Sequence, residues 1–436
     1  MTPSALHEEL EVELQRLQRA GSAVLAPNGS ERLWLVREDS RVRELEPDGT
    51  VANTTEGVAR FAQAWVEGAG VPGFAATSDV TPEGLQALIV AARAASRPAP
   101  SGPLRPRLGD PTPGRAEARG LLAPDACLGP ARGVLDAVCA AGLSPQALLL
   151  TERHRVTLWL DGRGVARDVE HTAQALARVE HLEGPLVDGV ATADLSSPWA
   201  LEPFAARMRT ARETLEGPGG LFDASLPLLL RPAVAAPLIG NLGALFSGEV
   251  AAAEAGWGRG FGKRIFPAAF SLHDEPRHPG AFRARTLDDE GHVAETVLLV
   301  DAGRLSAWLH TPSTARALEQ AENGRAFRGR ADGAARSQPL NLFVVPQALT
   351  LPSRYTELTT RLETFRTMPR AGVTSLRVAG FEVVGGVRQR RLAPFSLDLP
   401  ILAVMRSLLG VGPDLEFLAG SGCGTPSLLF SARNTG

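Results

Sequence analysis

A proline-rich stretch divides this chain more sharply than any other feature of its sequence. Residues 98–114, PAPSGPLRPRLGDPTPG, contain six prolines. Each proline fixes φ and removes a backbone donor, so the stretch favours an extended, exposed linker. A chain of 436 residues also exceeds what one hydrophobic core usually holds. We therefore predict an N-terminal α/β domain at 1–97, a linker at 98–120, a middle segment at 121–218 and a β-rich C-terminal domain at 221–436.

The N-terminal part carries clear helix signals. Leucines recur at helical spacing near the start of the chain, and Gly21 is expected to end that first helix. Thr81 is suited to cap a second helix, with Pro82 at its first position and the apolar run LQALIVAARAA (85–95) after it. The run RLWLVR (32–37) indicates a strand. This mixture predicts helices packed on a sheet.

Strand and turn signals dominate after residue 221. The clearest is ETVLLVDAGRLSAWLH (295–310), which predicts a hairpin that turns at Asp301-Ala302-Gly303. Other short apolar runs that indicate strands are LPLLL (226–230), LNLFVV (340–345), GFEVVGG (380–386) and PSLLFS (426–431). The whole chain is thus predicted to be an α+β protein whose C-terminal domain contains a mixed sheet.

Charge and cysteine content argue against several classes of function. A formal net charge of −3 gives no reason to expect nucleic acid or an anionic membrane as a partner. The widely spaced Cys127, Cys139 and Cys423 favour a reducing compartment over a disulfide framework. The N-terminus lacks the charged-then-apolar pattern of a signal peptide, and the longest uncharged run, Pro232 to Gly248, is too short and broken to span a bilayer. We expect a cytoplasmic protein.

The stretch SLHDEPRHPG (271–280) has the composition of a metal site. His273 and His278 lie five residues apart, with two carboxylates between them. Two prolines make a continuous helix unfavourable here, so the side chains share no fixed face. A solvated, turn-forming loop explains the stretch without a metal. The alternatives are a metal site that recruits a third ligand such as Cys423, and a contact with another subunit.

Three other polar motifs have simple structural explanations. GWGRGFGKR (256–264) resembles a phosphate loop in composition only, because a Walker loop needs Ser or Thr where Arg264 stands. The acidic run 288–290 is expected to form a solvated turn, with weak cation binding as the alternative. His310 ends an apolar strand and is expected to be a hydrogen-bonded structural histidine.

The C-terminal half carries motifs in a recognisable order. They are PAVAAPLIGNLGALFSG (232–248), LDDEGHVAETVLLVDAGRLSAWLHTPSTARAL (287–318), NLFVVP (341–346), GVGPDLEF (410–417) and GCGTPSLLF (422–430). Together with GVARFAQAWVEGAGVPGFAATSD (57–79), these motifs make the chain resemble the TldD/PmbA family. The resemblance extends over nearly the whole sequence and is best over 225–430.

The resemblance implies a subunit of a cytosolic zinc-dependent peptidase that trims unfolded or modified peptides. In TldD-type members, the two histidines of an HExxxH helix and a later cysteine hold zinc, and the glutamate is the general base. The PmbA type lacks that motif and pairs with a TldD-type partner. On this chain the motif falls on Gly240, Asn241 and Leu245, none of which can hold zinc or act as a base at neutral pH. The chain therefore resembles the PmbA type.

A PmbA-type subunit is predicted to have no catalytic residue and no cofactor of its own. Its zinc-bearing partner would be a TldD-like chain in a heterodimer, although a dimer of two identical chains is also open. Its role would be to complete a shared chamber and to help hold an extended peptide. The resemblance implies that Lys263, Arg264 and His310 are candidates for contact with that peptide.

Two other functions stay open at this stage. One is a stand-alone peptide-binding protein that serves the maturation of a peptide natural product. The other is an active metallopeptidase whose ligands are relocated to His273, His278 and Cys423. Cys423 does not match the position of the zinc cysteine in TldD-type members, and we expect it to pack in its glycine-rich turn.

Overall fold

The structure is a computed structural model that describes residues 3–25, 31–66, 73–96, 126–162, 164–193, 199–253, 259–329, 333–363 and 372–432. The predicted linker at 98–120 lies outside these residues. The helices are α1 (Pro3–Val24), α2 (Pro82–Ala95), α3 (Leu128–Ala140), α4 (Leu201–Leu215), α5 (Pro232–Gly243), α6 (Gly248–Ala253), α7 (Pro312–Ala317) and α8 (Ile401–Arg406), with a 3-10 helix at Ala244–Phe246. The α+β class predicted from the sequence is confirmed.

The strands fall into two groups along the chain. The first group is β1 (Glu31–Leu45), β2 (Val51–Val66), β3 (Gly73–Thr77), β4 (Pro145–Asp161), β5 (Val165–Val179) and β6 (Leu186–Thr192). The second group is β7 (Leu228–Leu230), β8 (Leu272–Asp274), β9 (Val297–Asp301), β10 (Arg304–Leu305), β11 (Ala326–Phe327), β12 (Arg336–Ser337), β13 (Leu342–Val344), β14 (Arg354–Leu362), β15 (Val373–Val384), β16 (Val387–Pro400), β17 (Leu408–Val411), β18 (Glu416–Phe417), β19 (Cys423–Thr425) and β20 (Leu428–Phe430).

Strands from both sides of the proline-rich stretch form one antiparallel sheet, which we call the N-terminal sheet. Its order is β3-β2-β1-β4-β5-β6. The long strands β1 and β4 pair directly, from Arg32 opposite Asp161 to Leu45 opposite Leu148. The segment before the stretch and the segment after it therefore share one sheet.

One face of the N-terminal sheet is apolar and is covered by α1 and α2. Alternate residues of β1 such as Leu33 and Leu35 are buried there with leucines of both helices, as expected for a strand with one core face. Gly21 does not end α1, which continues to Val24. A Cβ atom at Gly21 would lie 3.0 Å from Cδ2 of Leu160. This glycine therefore allows the helix to pack closely on the sheet.

The C-terminal half forms two six-stranded sheets around a shared core. Their orders are β10-β9-β8-β13-β19-β18 and β16-β15-β14-β7-β20-β17. Each contains one parallel pair, β13 with β19 and β14 with β7, among antiparallel pairs. The apolar side of α5, which includes Val234, Leu238 and Leu242, is completely buried in this core. The predicted mixed-sheet architecture is present.

The hairpin predicted in 295–310 is formed by β9 and β10. Asp301 lies opposite Arg304, and the two residues between them, Ala302 and Gly303, have φ angles of 44° and 78°. Positive φ at both central positions is the geometry of a type I′ turn. A Cβ atom at Gly303 would lie 2.1 Å from the carbonyl oxygen of Phe266, so only glycine fits there.

Candidate functional site

Helix α5 begins directly after a buried strand and ends beside a groove. Strand β7 is completely buried, Arg231 precedes the helix, and Pro232 stands at its first position, where its missing N–H costs nothing. The buried apolar side of α5 faces the core. Gly240 and Asn241 lie on the side that faces the groove.

The groove consists of two cavities that meet at Gly240, and we call it the α5 groove. The first cavity is about 550 Å³ and is bordered by β6, α4 and the end of β14. The second is about 460 Å³ and is bordered by α6 and residues 336–340. Gly240 and Ser421 line both cavities. Volumes of this size are typical of ligand-binding sites.

The three positions where the resemblance places the zinc motif have different surroundings. A Cβ atom at Gly240 would lie 3.7 Å from the carbonyl oxygen of Ser421, so there is space for a side chain. The amide of Asn241 donates a hydrogen bond of 2.9 Å to Oγ1 of Thr374 on β15. Leu245 lies in the 3-10 helix and packs against the core. Only the first two positions therefore face the groove.

Cys423 lies next to the Gly240 position. Its Sγ is 3.9 Å from where a Cβ atom of residue 240 would stand. The thiol is 1% exposed and donates to the carbonyl oxygen of Ala236 at 3.2 Å. Burial raises the pKa of the thiol to about 11, so it stays protonated at neutral pH. The position of Cys423 along the chain does not indicate that it lies beside residue 240.

His273 and His278 lie in an aromatic cluster around Phe343. The ring centroids are 5.5 Å apart for His273 and Phe343, and 4.7 Å for His278 and Phe343. His278 is also 4.7 Å from Phe417 and accepts a hydrogen bond from the Gly280 amide. Burial lowers the pKa of His273. Within the described ranges, no group of three His, Cys, Asp or Glu side chains is arranged to hold a metal ion.

The carboxylates near these histidines are not all solvated, contrary to the loop interpretation. Asp274 on β8 is completely buried and accepts hydrogen bonds from the backbone amides of Leu340 and Asn341. It also accepts one from the buried Arg325. Asp274 is therefore a structural residue that ties β8 to the approach to β13.

The acidic run 288–290 is also largely buried, so the prediction of a solvated turn is wrong. Asp288 and Asp289 are each 1% exposed. Asp288 accepts hydrogen bonds from the amides of Glu290, His292 and Ala326. Asp289 pairs with Arg155 of β4 and with the nearby Arg285, and it accepts a hydrogen bond from the Arg328 amide. These residues organise the packing between the two halves of the chain.

The three candidates for peptide contact are dispersed. Lys263 and Arg264 are exposed, and the backbone oxygen of Lys263 accepts a hydrogen bond from Leu305. Neither residue lines the two cavities of the α5 groove. His310 is 3% exposed, its Nδ1 is 3.3 Å from Oγ1 of Thr314, and burial lowers its pKa to about 4.

Arginines that sequence reasoning did not identify line the groove. Arg361 lines the first cavity and Arg336 the second. Within the described part of the chain, neither guanidinium has an ion pair or a side-chain hydrogen bond. Arg207 is different, because it binds both oxygens of Asp188 at 2.8 and 2.9 Å and Glu416 at 2.7 Å. No sequence motif distinguishes these arginines from the others in the chain.

Residues 223–436 match the family model of the PmbA/TldA metallopeptidase C-terminal domain. The C-terminal half of this chain therefore belongs to the TldD/PmbA family. The predicted resemblance is confirmed by this match, and no curated protein matches the chain. The matched TldD/PmbA domain supplies α5, Arg336, Arg361 and Cys423, whereas Asp188 and Arg207 come from residues before it.

Three solved structures share the fold of the whole chain, including its TldD/PmbA domain. A proposed modulator of DNA gyrase from Thermotoga maritima has a TM-score of 0.72 at 18% identity, over 96% of this chain and 99% of that chain. TldE from Thermococcus kodakarensis has a TM-score of 0.72 at 15% identity, over 96% and 98% of the two chains. A proposed modulator of DNA gyrase from Bacteroides thetaiotaomicron has a TM-score of 0.69 at 14% identity, over 96% and 98%. Among the helices described here, none is long and apolar enough to cross a membrane.

Proposed function

We propose that this chain is a zinc-less, PmbA-type subunit of a cytoplasmic TldD/PmbA metallopeptidase complex that acts on unfolded or modified peptides. The observation that carries the proposal is the chemistry of the groove wall. Helix α5 contains no His, Cys, Asp or Glu between Pro232 and Gly243, and the residues by which it lines the groove are Ala233, Ala236, Pro237, Gly240 and Asn241. Zinc catalysis needs about three protein ligands and an open position for water. A partner subunit would have to supply that centre.

The groove itself fits a role in holding peptide. Strand β18 is at the edge of its sheet, and residues 418–421 directly after it line the first cavity. An extended peptide can add to such an edge through backbone hydrogen bonds. The guanidiniums of Arg361 and Arg336 lie in the two cavities, where they can bind carboxylates of a peptide.

The proposal is tested by reconstitution with a zinc-bearing TldD-type chain from the same source. Cleavage of an unfolded peptide is measured for this chain alone, for the partner alone and for the mixture. We expect chelator-sensitive cleavage only in the mixture. Cleavage by this chain alone that a chelator abolishes would contradict the proposal. A stand-alone binding protein would instead bind modified peptide without any partner and would not increase the partner's activity.

A variant of the groove makes the test specific. Gly240→Phe places a large side chain where only Ser421 and Cys423 are near, so it should fill the junction of the two cavities and reduce cleavage by the mixture at least about tenfold. Gly129→Phe is the matched control, because a Cβ atom at Gly129 on α3 has no neighbour within 4 Å and Gly129 lines neither cavity. The control mixture should cleave like the unmodified one.

A further inference from the structure

The face of the N-terminal sheet opposite α1 and α2 has an unusual composition. It carries Trp34, Trp65 and Trp159, which are three of the six tryptophans in the chain. Trp34 lies directly opposite Trp159 across the β1–β4 pair, and Phe61 lies opposite Val36 across the β1–β2 pair. Side chains of the C-terminal half pack on part of this face. Trp34 and Trp159 are buried there, whereas Phe61 and Trp65 are only partly buried.

The remaining part of this face borders a cavity of about 580 Å³, which we call the sheet cavity. Trp34 and Phe61 form its aromatic side, and Arg155 and Arg328 contribute its cationic side. The exposed residues Ala76 and Ser78, on and after β3, lie at its edge. The sheet cavity shares no lining residue with the α5 groove. Aromatic walls with a few convergent polar groups are typical of sites for small ligands.

Arg328 is a buried cation held between two tryptophans. Its guanidinium carbon is 5.2 Å from the ring centroid of Trp34 and 4.7 Å from that of Trp65. Nε donates to Gln63 at 2.6 Å, and Nη2 lies 3.5 Å from a carboxylate oxygen of Glu290. Within the part of the chain that the structure describes, Nη1 has no hydrogen-bond partner. Burial also lowers the pKa of Arg328, which is the sign of a cation with too little neighbouring negative charge.

Arg155 adds a second guanidinium, and its positive charge is only partly neutralised by a neighbouring carboxylate. Its Nη2 is 3.1 Å from Asp289, a carboxylate that Arg285 shares at the same distance. Its other terminal nitrogen, Nη1, has no hydrogen bond within the described residues. Among the described residues, Glu38 is the one carboxylate that lines the sheet cavity, and it is paired with Arg153 at 3.2 Å. The described lining therefore offers cationic donors without a free acidic group.

We propose that the sheet cavity binds a small carboxylate that carries an aromatic ring. The ring would pack against the partly buried Phe61, and the carboxylate would bind Arg155, with the buried Arg328 adding positive charge behind it. Guanidinium groups recognise carboxylates through paired N–H donors. The guanidiniums of Arg155 and Arg328 both lie over the Trp34 ring, which keeps them oriented. Such a ligand could be a free aromatic acid or the C-terminal aromatic residue of a peptide. The inference does not depend on the proposed peptidase function.

Isothermal titration calorimetry on the full chain tests this assignment with indole-3-acetate as the probe. The neutral indole-3-acetamide tests the need for the charge, and inorganic phosphate tests whether an anion without a ring is enough. We expect saturable binding of the acid, with the amide and phosphate at least about tenfold weaker. Competition by Gly-Gly-Phe, but not by its C-terminal amide, would identify a peptide end as the ligand. Absence of competition would identify a free aromatic acid.

Two variants and a control locate the binding. Arg155→Gln should weaken binding of indole-3-acetate at least about tenfold. Ala76→Phe should abolish it by filling the cavity from the exposed strand β3, outside the buried ion-pair network. Arg167→Gln, on the opposite face of the same sheet and bound to Glu11, should bind like the unmodified chain. No saturable binding of the acid, equal binding of the amide, or unchanged binding by Ala76→Phe would overturn the proposal.

Discussion

Asp274 illustrates how one buried carboxylate can determine the path of several segments. It stands in a stretch whose composition suggests a metal site or a solvated loop, yet its side chain is completely buried and accepts hydrogen bonds from Arg325 and from two backbone amides near residue 340. The partners come from more than fifty residues away in the sequence. No local pattern could have indicated them.

Asp274→Asn should strongly destabilise the fold. The change leaves the buried charge of Arg325 without its counter-ion and replaces one acceptor oxygen with a donor. Loss of one partner of a buried pair costs about 3–5 kcal/mol. Glu275→Gln is the neighbouring control and should change the free energy of unfolding by less than about 0.5 kcal/mol. Chemical denaturation of both variants measures the difference, and equal stability of the two would contradict the structural role of Asp274.

His310 should make the fold sensitive to acid. Its folded-state pKa of about 4 is below the ordinary value of 6.5, mainly because of burial. The unfolded chain therefore binds the proton first as the pH falls, so stability is full above about pH 6.5 and is lost towards about pH 4. The loss should be about 2 kcal/mol after allowance for solvent screening.

The His310→Asn variant isolates this contribution. Asparagine can keep a hydrogen bond to Thr314 but does not titrate. Denaturation at about pH 7 and about pH 4.5 should show a smaller loss of stability for the variant than for the unmodified chain. Identical pH dependence of the two proteins would show that His310 keeps an ordinary pKa.

At the scale of elements, α5 combines a fixed apolar side with an open groove side. The difference is visible in its two glycines. A Cβ atom at Gly240 would make only ordinary contacts, the nearest at 3.7 Å, whereas one at Gly243 would lie 2.6 Å from Cδ2 of the buried Leu342. Gly240 is therefore not required for packing, and the groove has space for a larger side chain at this position.

Gly240→Ala should stabilise the chain by about 0.5–1 kcal/mol, because alanine has the higher helix propensity and meets no steric conflict. Gly243→Ala on the same helix should instead destabilise it by about 1–3 kcal/mol through overpacking. Thermal unfolding of the two variants measures both effects. A loss of stability for Gly240→Ala as large as that for Gly243→Ala would contradict the described position of α5.

The elements that could be predicted from sequence are those that depend on local chemistry. Thr81 caps α2 by accepting a hydrogen bond from Gly84 at 3.1 Å, and the Asp301-Ala302-Gly303 turn joins β9 to β10 as predicted. The pairing of β1 with β4 was not predictable in the same way, because it joins residues more than a hundred positions apart. The burial of Asp289 also depends on such a distant partner, Arg155.

At the scale of the whole molecule, a buried ion network joins the N-terminal sheet to the C-terminal half. Arg285 is 1% exposed and binds Asp168 of β5 at 2.5 Å and Asp289 at 3.1 Å. Charged groups are costly to bury unless they are paired, so this network favours one arrangement of the two halves. The α5 groove is bordered by both halves, through Arg207 of α4 and Arg361 of β14. Its shape therefore depends on that arrangement.

A chain without a zinc centre of its own should contain little zinc, so its zinc content is the decisive measurement. The chain is purified alone, dialysed, and analysed by atomic spectroscopy, with Cys423→Ser measured in parallel. We predict far less than about one zinc per chain for both proteins, since a stable site needs about three protein ligands. About one zinc per chain in the unmodified protein would show that the chain has its own zinc centre, and loss of that zinc in Cys423→Ser would place the centre beside Gly240.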